Sequence, residues 1–130
     1  MTQVLQQSLL KVEIDPAQFQ EKFAAWKSLG PARADDDYNF GKDGFYARPL
    51  VNGKMILKHV HLVPENDPEA LARWDRDWEK YRRRSSDNAL IYAEDKLYGC
   101  LLITALWSPD AHQIPEMKTQ QHRELMNSFA

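Results

Sequence analysis

Residues 88–107, NALIYAEDKLYGCLLITALW, carry the strongest strand signal in the chain. Two apolar runs, 88–93 and 97–107, are separated by the polar residues 94–96, and this pattern predicts a β-hairpin. The second run is apolar at both sets of alternating positions, and such strands are usually covered on both faces. We therefore expect residues 97–107 to lie at the centre of a sheet.

A second hairpin and two helices are predicted upstream of this stretch. Asn52-Gly53 separates the apolar stretches 45–50 and 54–63, and Asn-Gly is the dipeptide that tight hairpin turns favour. Helices over 16–29 and 68–83 each begin at an Asp-Pro pair, in which the Asp caps the helix and the Pro suits its first position. Each helix then carries apolar residues at helical spacing.

The remaining segments complete an α+β order. Alternation at Val12 and Ile14 predicts a strand there, residues 31–44 predict a surface loop, and Pro115 opens a last helix. The sequence therefore predicts a twisted antiparallel sheet of four or five strands, with the two upstream helices packed on one face.

The composition excludes several classes of protein. The 130 residues are 43% hydrophobic and 28% charged, which fits one folded domain, 1–130. Cys100 is the single cysteine, so the chain forms neither an internal disulfide nor a cysteine cage for zinc or an iron–sulfur cluster. The longest apolar run, 97–107, is far shorter than the roughly 20 residues of a membrane-spanning helix. The N-terminus lacks the pattern of a signal peptide, so we expect a cytoplasmic protein.

The end of the second predicted helix is basic, although the whole chain has a net charge of −2. Residues 73–84 hold six Arg and Lys against three Asp and Glu, with Trp and Tyr between them. An amphipathic helix with solvated charges explains residues 73–80, whereas three adjacent arginines repel one another unless an anion such as phosphate lies between them. A solvated helix face remains the alternative to phosphate binding. The candidate phosphate-binding residues are Lys80, Arg82, Arg83 and Arg84.

Three histidines are candidates for proton transfer or ligand binding. His59 and His61 share one face of the predicted strand 54–63, either as two metal ligands or as a half-buried pair. The half-buried pair is favoured, because the sequence shows no third metal ligand. His112 lies in the loop after the apolar run 97–107, a place suited to proton transfer, although an ordinary surface histidine is the alternative.

Four short motifs follow one another along the chain: FGKD at 40–43, KHVHL at 58–62, the hairpin ALIY to LLITAL at 89–106, and PDAH at 109–112. With these motifs in register, residues 40–129 resemble the YafO family of type II toxins, which is related in fold to RelE-type toxins. The resemblance implies a RelE-like fold and a ribosome-dependent mRNA interferase, an endoribonuclease that uses no metal or other cofactor. The implied partners are the ribosome, its mRNA and a Phd/YefM-like antitoxin.

The resemblance also implies roles for the candidate residues. Toxins of this kind activate a ribose 2′-hydroxyl to attack the adjacent phosphate, and this reaction needs a base, an acid and a cation. We expect His112 to transfer the proton, His59 or His61 to be the second proton-transfer group, and Arg83 or Arg84 to hold the phosphate. The antitoxin is expected to cover this basic run or the surface around the two strand histidines.

The chain departs from the family pattern at one position of the predicted site. Family members often carry a histidine where this chain has Ala89. Either this subfamily differs or the residue has been altered, and cleavage is impaired if that histidine takes part in catalysis. Two other functions therefore stay open: a protein that binds the ribosome or another partner without cleaving, and a ParE-type toxin that acts on gyrase.

Overall fold

The computed structural model describes residues 1–82 and 84–130. The helices are α1 (Gln3–Lys11), α2 (Pro16–Ser28), α3 (Pro68–Tyr81), α4 (Asp110–Gln113) and α5 (Gln120–Phe129). The strands are β1 (Phe40–Phe45), β2 (Leu50–Val51), β3 (Lys54–Met55), β4 (Lys58–Leu62), β5 (Ala89–Asp95) and β6 (Gly99–Leu106), and a 3₁₀ turn covers Ala34–Asp36.

Four of the strands form one antiparallel sheet in the order β1-β4-β5-β6, and β2 and β3 form a separate hairpin. The α+β class and the antiparallel sheet of four strands are as predicted.

The central strand with both faces buried is β5, and not the 97–107 run that the sequence predicted. β5 pairs with β4 on one side and with β6 on the other, and its first four residues are all buried. β6 lies at the end of the sheet order, and Leu97 before it is 86% exposed. The prediction of a central strand at 97–107 is therefore wrong: the turn residues of the run face solvent and only its second half packs inside.

Helices cover both faces of the sheet, which corrects the prediction that they pack mainly on one. The first core lies under α1 and α2, and the second core lies under α4 and α5. Because successive side chains of a strand point to opposite faces, β5 supplies Leu90 and Tyr92 to the first core and Ala89 and Ile91 to the second. The first core comprises Leu5, Leu9, Phe19, Phe23, Trp26, Phe40, Val60, Leu62, Leu90, Tyr92, Leu102 and Ala105; the second comprises Leu57, Ala89, Ile91, Leu106, Ala111, Ile114 and Met126.

The chain begins with a helix, where the sequence predicted a strand around residues 12–14. The hydroxyl of Thr2 accepts a hydrogen bond from the Leu5 amide and so caps α1. Leu5 and Leu9 lie one turn apart and are fully buried in the first core. The stretch 12–14 is the turn that follows the helix, with Glu13 at a φ of 62°.

The predicted position of α3 is also wrong. Its buried residue Trp74 belongs to neither core: the indole N–H donates to the Tyr38 carbonyl at 3.1 Å. A Cβ built on Gly41 of β1 would lie 2.7 Å from the Trp74 ring, so a glycine is required there. The helix thus packs beside β1, at the edge of the sheet, whereas α2 packs on the first core. The strand β1 also occupies part of the stretch 31–44 that was predicted to be a loop.

The local start and turn signals are confirmed. Asp15 and Asp67 cap α2 and α3, each with a proline in the first turn. Asn52 and Gly53 both have positive φ and join β2 to β3. The predicted long strand 54–63 is interrupted after β3, and its remainder is β4. This break separates the exposed hairpin from the strand that carries His59 and His61.

A polar network holds α2 to the sheet on the first-core side. The hydroxyl of the fully buried Tyr92 donates to Asp43 at 2.6 Å. Lys27 of α2 reaches Glu94 at 3.4 Å, and Lys58 lies 3.2 Å from Glu94 and 3.7 Å from Asp43. Burial, followed by the bond to Asp43, raises the pKa of Tyr92. The hydroxyl therefore stays protonated and acts as a permanent donor.

We predict that Tyr92→Phe lowers the free energy of unfolding by about 1–2 kcal/mol, because it removes a buried hydrogen bond to a carboxylate. Tyr98→Phe is the matched control, since Tyr98 is 90% exposed and its hydroxyl lies outside the network. Urea unfolding of both variants measures the difference. Equal stability of the two variants would contradict this account of the network.

Candidate functional site

The segment 84–87, which follows α3, contacts three separate parts of the fold. The Arg84 carbonyl accepts a hydrogen bond from the Lys42 amide of β1 at 2.7 Å. Both backbone groups of Ser86 approach Nδ1 of His61 on β4, the carbonyl oxygen at 2.7 Å and the amide nitrogen at 3.1 Å. Asp87 lies 3.2 Å from Nδ1 of His112 on α4. This one segment therefore places β1, β4 and α4 next to one another.

A carboxylate oxygen of Asp87 lies close to His112. One carboxylate oxygen of Asp87 accepts from the Ser108 hydroxyl at 2.8 Å, and the other, which is buried, lies 3.2 Å from Nδ1 of His112. Among the described residues, no donor makes a hydrogen bond to this second oxygen, so its contact with His112 is an ion pair that forms when the ring is protonated. In a neutral ring that carries its proton on Nδ1, Nε2 is the proton acceptor. The His112 side chain is 66% exposed, so the imidazole is open to solvent.

Burial lowers the pKa of both strand histidines, His59 and His61. The His59 ring stacks on Tyr46 with centroids 4.0 Å apart and meets the His61 ring at 5.5 Å. Burial lowers the pKa of His59 to about 4, and the charge of His61 contributes in the same direction. Burial likewise lowers the pKa of His61, while its bond to Ser86 opposes the shift.

Five side chains form one electrostatic group, which we name the histidine cluster: His59, His61, His112, Asp87 and Lys42. The charge of Lys42 and that of a protonated His112 lower the pKa of His61 further, and the Asp87 carboxylate raises it. Lys42 also lowers the pKa of His59. The cluster thus brings together the three predicted histidines, with a carboxylate and a cation that the sequence did not single out.

A depression of about 360 Å³ adjoins the cluster on the α3 side. It carries charges of both signs, because Arg73 stands among three carboxylates. Its lining residues are Asp67, Glu69, Ala70, Arg73, Ser85, Ser86, Asp87, Ser108 and His112.

In the described part of the chain, no group of three or more His, Cys, Asp or Glu side chains is arranged to hold a metal ion. None of the described helices is long and apolar enough to cross a membrane.

The sequence model of the YafO toxin family, described as the toxin of a type II toxin–antitoxin system, matches residues 24–130. The chain belongs to the YafO toxin family. The matched range covers the whole sheet and the histidine cluster. Membership of a type II system implies that an antitoxin is the partner of this toxin. No curated protein and no solved structure matches the chain.

The toxin holds Arg84 inside the fold. Arg84 is 6% exposed, and its guanidinium donates to the Asp37 carbonyl at 2.8 Å. The same group lies over the Trp78 ring at 4.3 Å and the Tyr38 ring at 5.1 Å. The guanidinium is therefore enclosed mainly by protein groups. Phosphate binding by Arg84 stays a prediction.

The other predicted phosphate ligands lie along the end of α3. Arg82 follows the helix in a left-handed conformation, with its guanidinium 5.2 Å from the Trp78 ring centre. Lys80 lies 5.2 Å from the Tyr81 ring centre. Both are exposed. Arg83 lies outside the residues that the structure describes.

Ala89 adjoins the histidine cluster but takes no chemical part in it. It is the cross-strand partner of His61 on one side and of Leu106 on the other, so its methyl group shares their face of the sheet. The side chain is 1% exposed and belongs to the second core. A histidine at this position would stand directly beside His61.

Sequence reasoning missed Asp87 and Lys42. Asp87 follows the arginine run within Ser85-Ser86-Asp87, which was interpreted only as the end of a helix. Lys42 lies in the FGKD motif, which was assigned to a loop. Two positions in the sequence carried the signal: Asp87 lies two residues before the start of β5, and His112 lies six residues after the end of β6. Because β5 and β6 pair antiparallel, the start of β5 lies next to the end of β6, at the same end of the sheet.

We predict that the strand histidines weaken folding in acid. The folded chain lowers the pKa of His59 from its usual 6.5 to about 4, so the unfolded chain binds this proton more tightly. The resulting stabilisation is complete above about pH 6.5 and is lost as the pH falls towards about 4. Urea unfolding across this range should show a larger acid loss for the wild type than for His59→Phe, which keeps a ring against Tyr46. Equal acid losses in the two proteins would refute this.

Proposed function

We propose that this toxin is a metal-independent endoribonuclease with a RelE-like fold that cleaves translated mRNA on the ribosome. The observation that carries the proposal is the contact of Asp87 with His112, beside His61. A carboxylate on Nδ1 fixes the tautomer and supports the imidazolium that forms when Nε2 takes a proton. Imidazole is the side chain best suited to proton transfer near pH 7.

The reaction uses two proton transfers at one phosphodiester. Nε2 of His112 removes the proton of the ribose 2′-hydroxyl, and the 2′ oxygen forms a bond to the adjacent phosphorus. The bond from phosphorus to the 5′ oxygen then breaks, and a general acid gives that oxygen a proton. The products are a 2′,3′-cyclic phosphate and a 5′-hydroxyl, and no electrons are transferred to or from a cofactor.

His61 is the better of the two strand histidines for the second proton transfer. Its ring contacts Ser86, next to the residue that orients His112. The His59 ring is instead stacked on Tyr46, and its pKa is lowered to about 4. We therefore assign His59 to packing and positioning of His61, and His61, in its protonated form, to the second proton transfer.

The ribosome and the antitoxin complete the proposal. His112 stands on an open surface and the chain has a net charge of −2, so the overall charge of the toxin does not favour RNA binding. The ribosome would supply the alignment of the mRNA, which is a large part of the work in a reaction of this kind. We propose a Phd/YefM-like antitoxin that covers the exposed cations after α3 or the surface of the histidine cluster, and a cytoplasmic site of action, where ribosomes translate.

One observation favours a second function, a protein that binds the ribosome or another partner without cleaving. Ala89 places a methyl group directly beside His61, where the family pattern often has a histidine. If that histidine were the acid or the base, this chain would retain the binding surface and lose the chemistry. No feature of the described residues favours gyrase as the target.

We predict that His112→Ala lowers the single-turnover cleavage rate on programmed ribosomes by about 10²–10⁴-fold, as for the loss of a general base. Primer extension on the translated mRNA locates new 5′ ends, and co-sedimentation measures ribosome binding, which should be unchanged. His122→Ala is the control, because His122 lies on α5 outside the cluster. Cleavage by His112→Ala at the wild-type rate would refute the assignment, and a wild type that binds ribosomes without producing 5′ ends would establish the second function.

A further inference from the structure

The pairing of β1 with β4 contains a bulge opposite His61. Phe40 pairs with Leu62, and Asp43 pairs with Val60. Between these pairs, the two residues Gly41 and Lys42 therefore stand opposite the single residue His61. A bulge of this kind re-aims side chains and is frequent beside functional sites.

The backbone of the bulge packs closely against the segment 84–87. The Lys42 amide donates to the Arg84 carbonyl at 2.7 Å. A Cβ at Gly41 would meet both that carbonyl and the Trp74 ring, so the backbone approaches as closely as a glycine permits. Since Arg84 is itself enclosed by Trp78 and Tyr38, the backbone of Lys42 is fixed relative to His61.

The ammonium group of Lys42 is available to a ligand. Lys27 and Lys58, the other lysines near this part of the sheet, are paired with Glu94. Among the described side chains, which leave out those of residues 35 and 83, no carboxylate lies within ion-pair distance of the Lys42 ammonium. Lys42 stands opposite His61 in the bulge, and its charge lowers the pKa of both His59 and His61.

We infer that Lys42 is the phosphate-binding cation of the histidine cluster, and that Arg84 is the positioning residue that holds it there through the backbone. The ligand is an RNA phosphodiester, whose scissile phosphate would contact the ammonium group while its 2′-hydroxyl faces His112. A fixed cation at this point offsets the negative charge that grows on the phosphate oxygens as the 2′ oxygen attacks. This inference rests on the proposed function and assigns to Lys42 the role that the arginine run was expected to fill.

The first test measures phosphate binding without cleavage. Inorganic phosphate is titrated against sodium chloride at constant ionic strength, and the ring signals of His61 are followed by NMR. Phosphate should shift these signals in the wild type, in Lys42→Arg and in Lys54→Ala, and Lys42→Ala should lose the shift. Lys54→Ala is the matched control, because Lys54 is exposed on β3, outside the cluster. An equal response of Lys42→Ala and Lys54→Ala would overturn the inference.

The second test measures the cation in the reaction itself. On programmed ribosomes at saturating toxin, Lys42→Ala should lower the single-turnover cleavage rate by about 10²–10³-fold, as for the loss of one preorganised group at a developing anion. Lys42→Arg should restore most of the rate and Lys54→Ala should keep it. A rate for Lys42→Ala within about threefold of the wild type would overturn the catalytic part of the inference.

The two tests separate the two proposals. If the wild type does not cleave mRNA, the proposed function fails, and the phosphate titration alone decides whether Lys42 binds phosphate. Thermal unfolding of Lys42→Ala checks the fold, and the melting temperature should be unchanged, because the substitution keeps the backbone bond to Arg84 and breaks no ion pair. A large fall in melting temperature would show that Lys42 is structural and would overturn the inference.

Discussion

The guanidinium of Arg84 lies between the rings of Trp78 and Tyr38 and donates to the carbonyl of Asp37. This interaction joins the end of α3 to the loop before β1, and it fixes where the chain continues after the helix. A buried cation is stable only when other groups replace its water, and here two aromatic faces and a carbonyl do so. The segment 84–87 then follows a set path across the edge of the sheet. The site depends on that path, since Lys42 and His61 each hydrogen-bond to a residue of the segment and His112 lies 3.2 Å from Asp87.

The resulting site combines two kinds of histidine. His59 and His61 alternate along β4 with residues of the first core, and burial lowers the pKa of both rings. His112 stands on the surface with its Nδ1 towards a carboxylate, so it can accept a proton without leaving its position. The proposed attack of a 2′-hydroxyl on phosphate requires a base, an acid and a cation. His112, His61 and Lys42 are the candidates for these three roles. The fold supplies them at one edge, and the ribosome would supply the alignment of the RNA.

Signals that act within a few residues were readable from the sequence. The Asp-Pro pairs start α2 and α3, and Asn52-Gly53 turns the hairpin, because capping and turn geometry depend on neighbouring residues alone. The order of strands was not readable, since the 97–107 run is longer and more apolar than 88–93 although β5 is the strand with two neighbours. The burial of Arg84 was not readable for a related reason: besides Trp78, the groups that enclose it belong to residues 37–38, far along the chain. The position of Asp87 beside His112 was not readable either, because it depends on the pairing of β5 with β6.

The most direct test of this account is the single-turnover cleavage rate of Asp87→Asn on programmed ribosomes. The substitution keeps the size of the side chain and removes the charge that faces Nδ1 of His112. The account predicts a rate at least about 10²-fold below the wild type, with ribosome binding unchanged, because the imidazole loses its fixed tautomer and its counter-charge. Asp110→Asn, at the exposed start of α4, is the control and should cleave like the wild type. An Asp87→Asn toxin that cleaves as fast as the Asp110→Asn control would contradict the claim that the segment after Arg84 builds the active site.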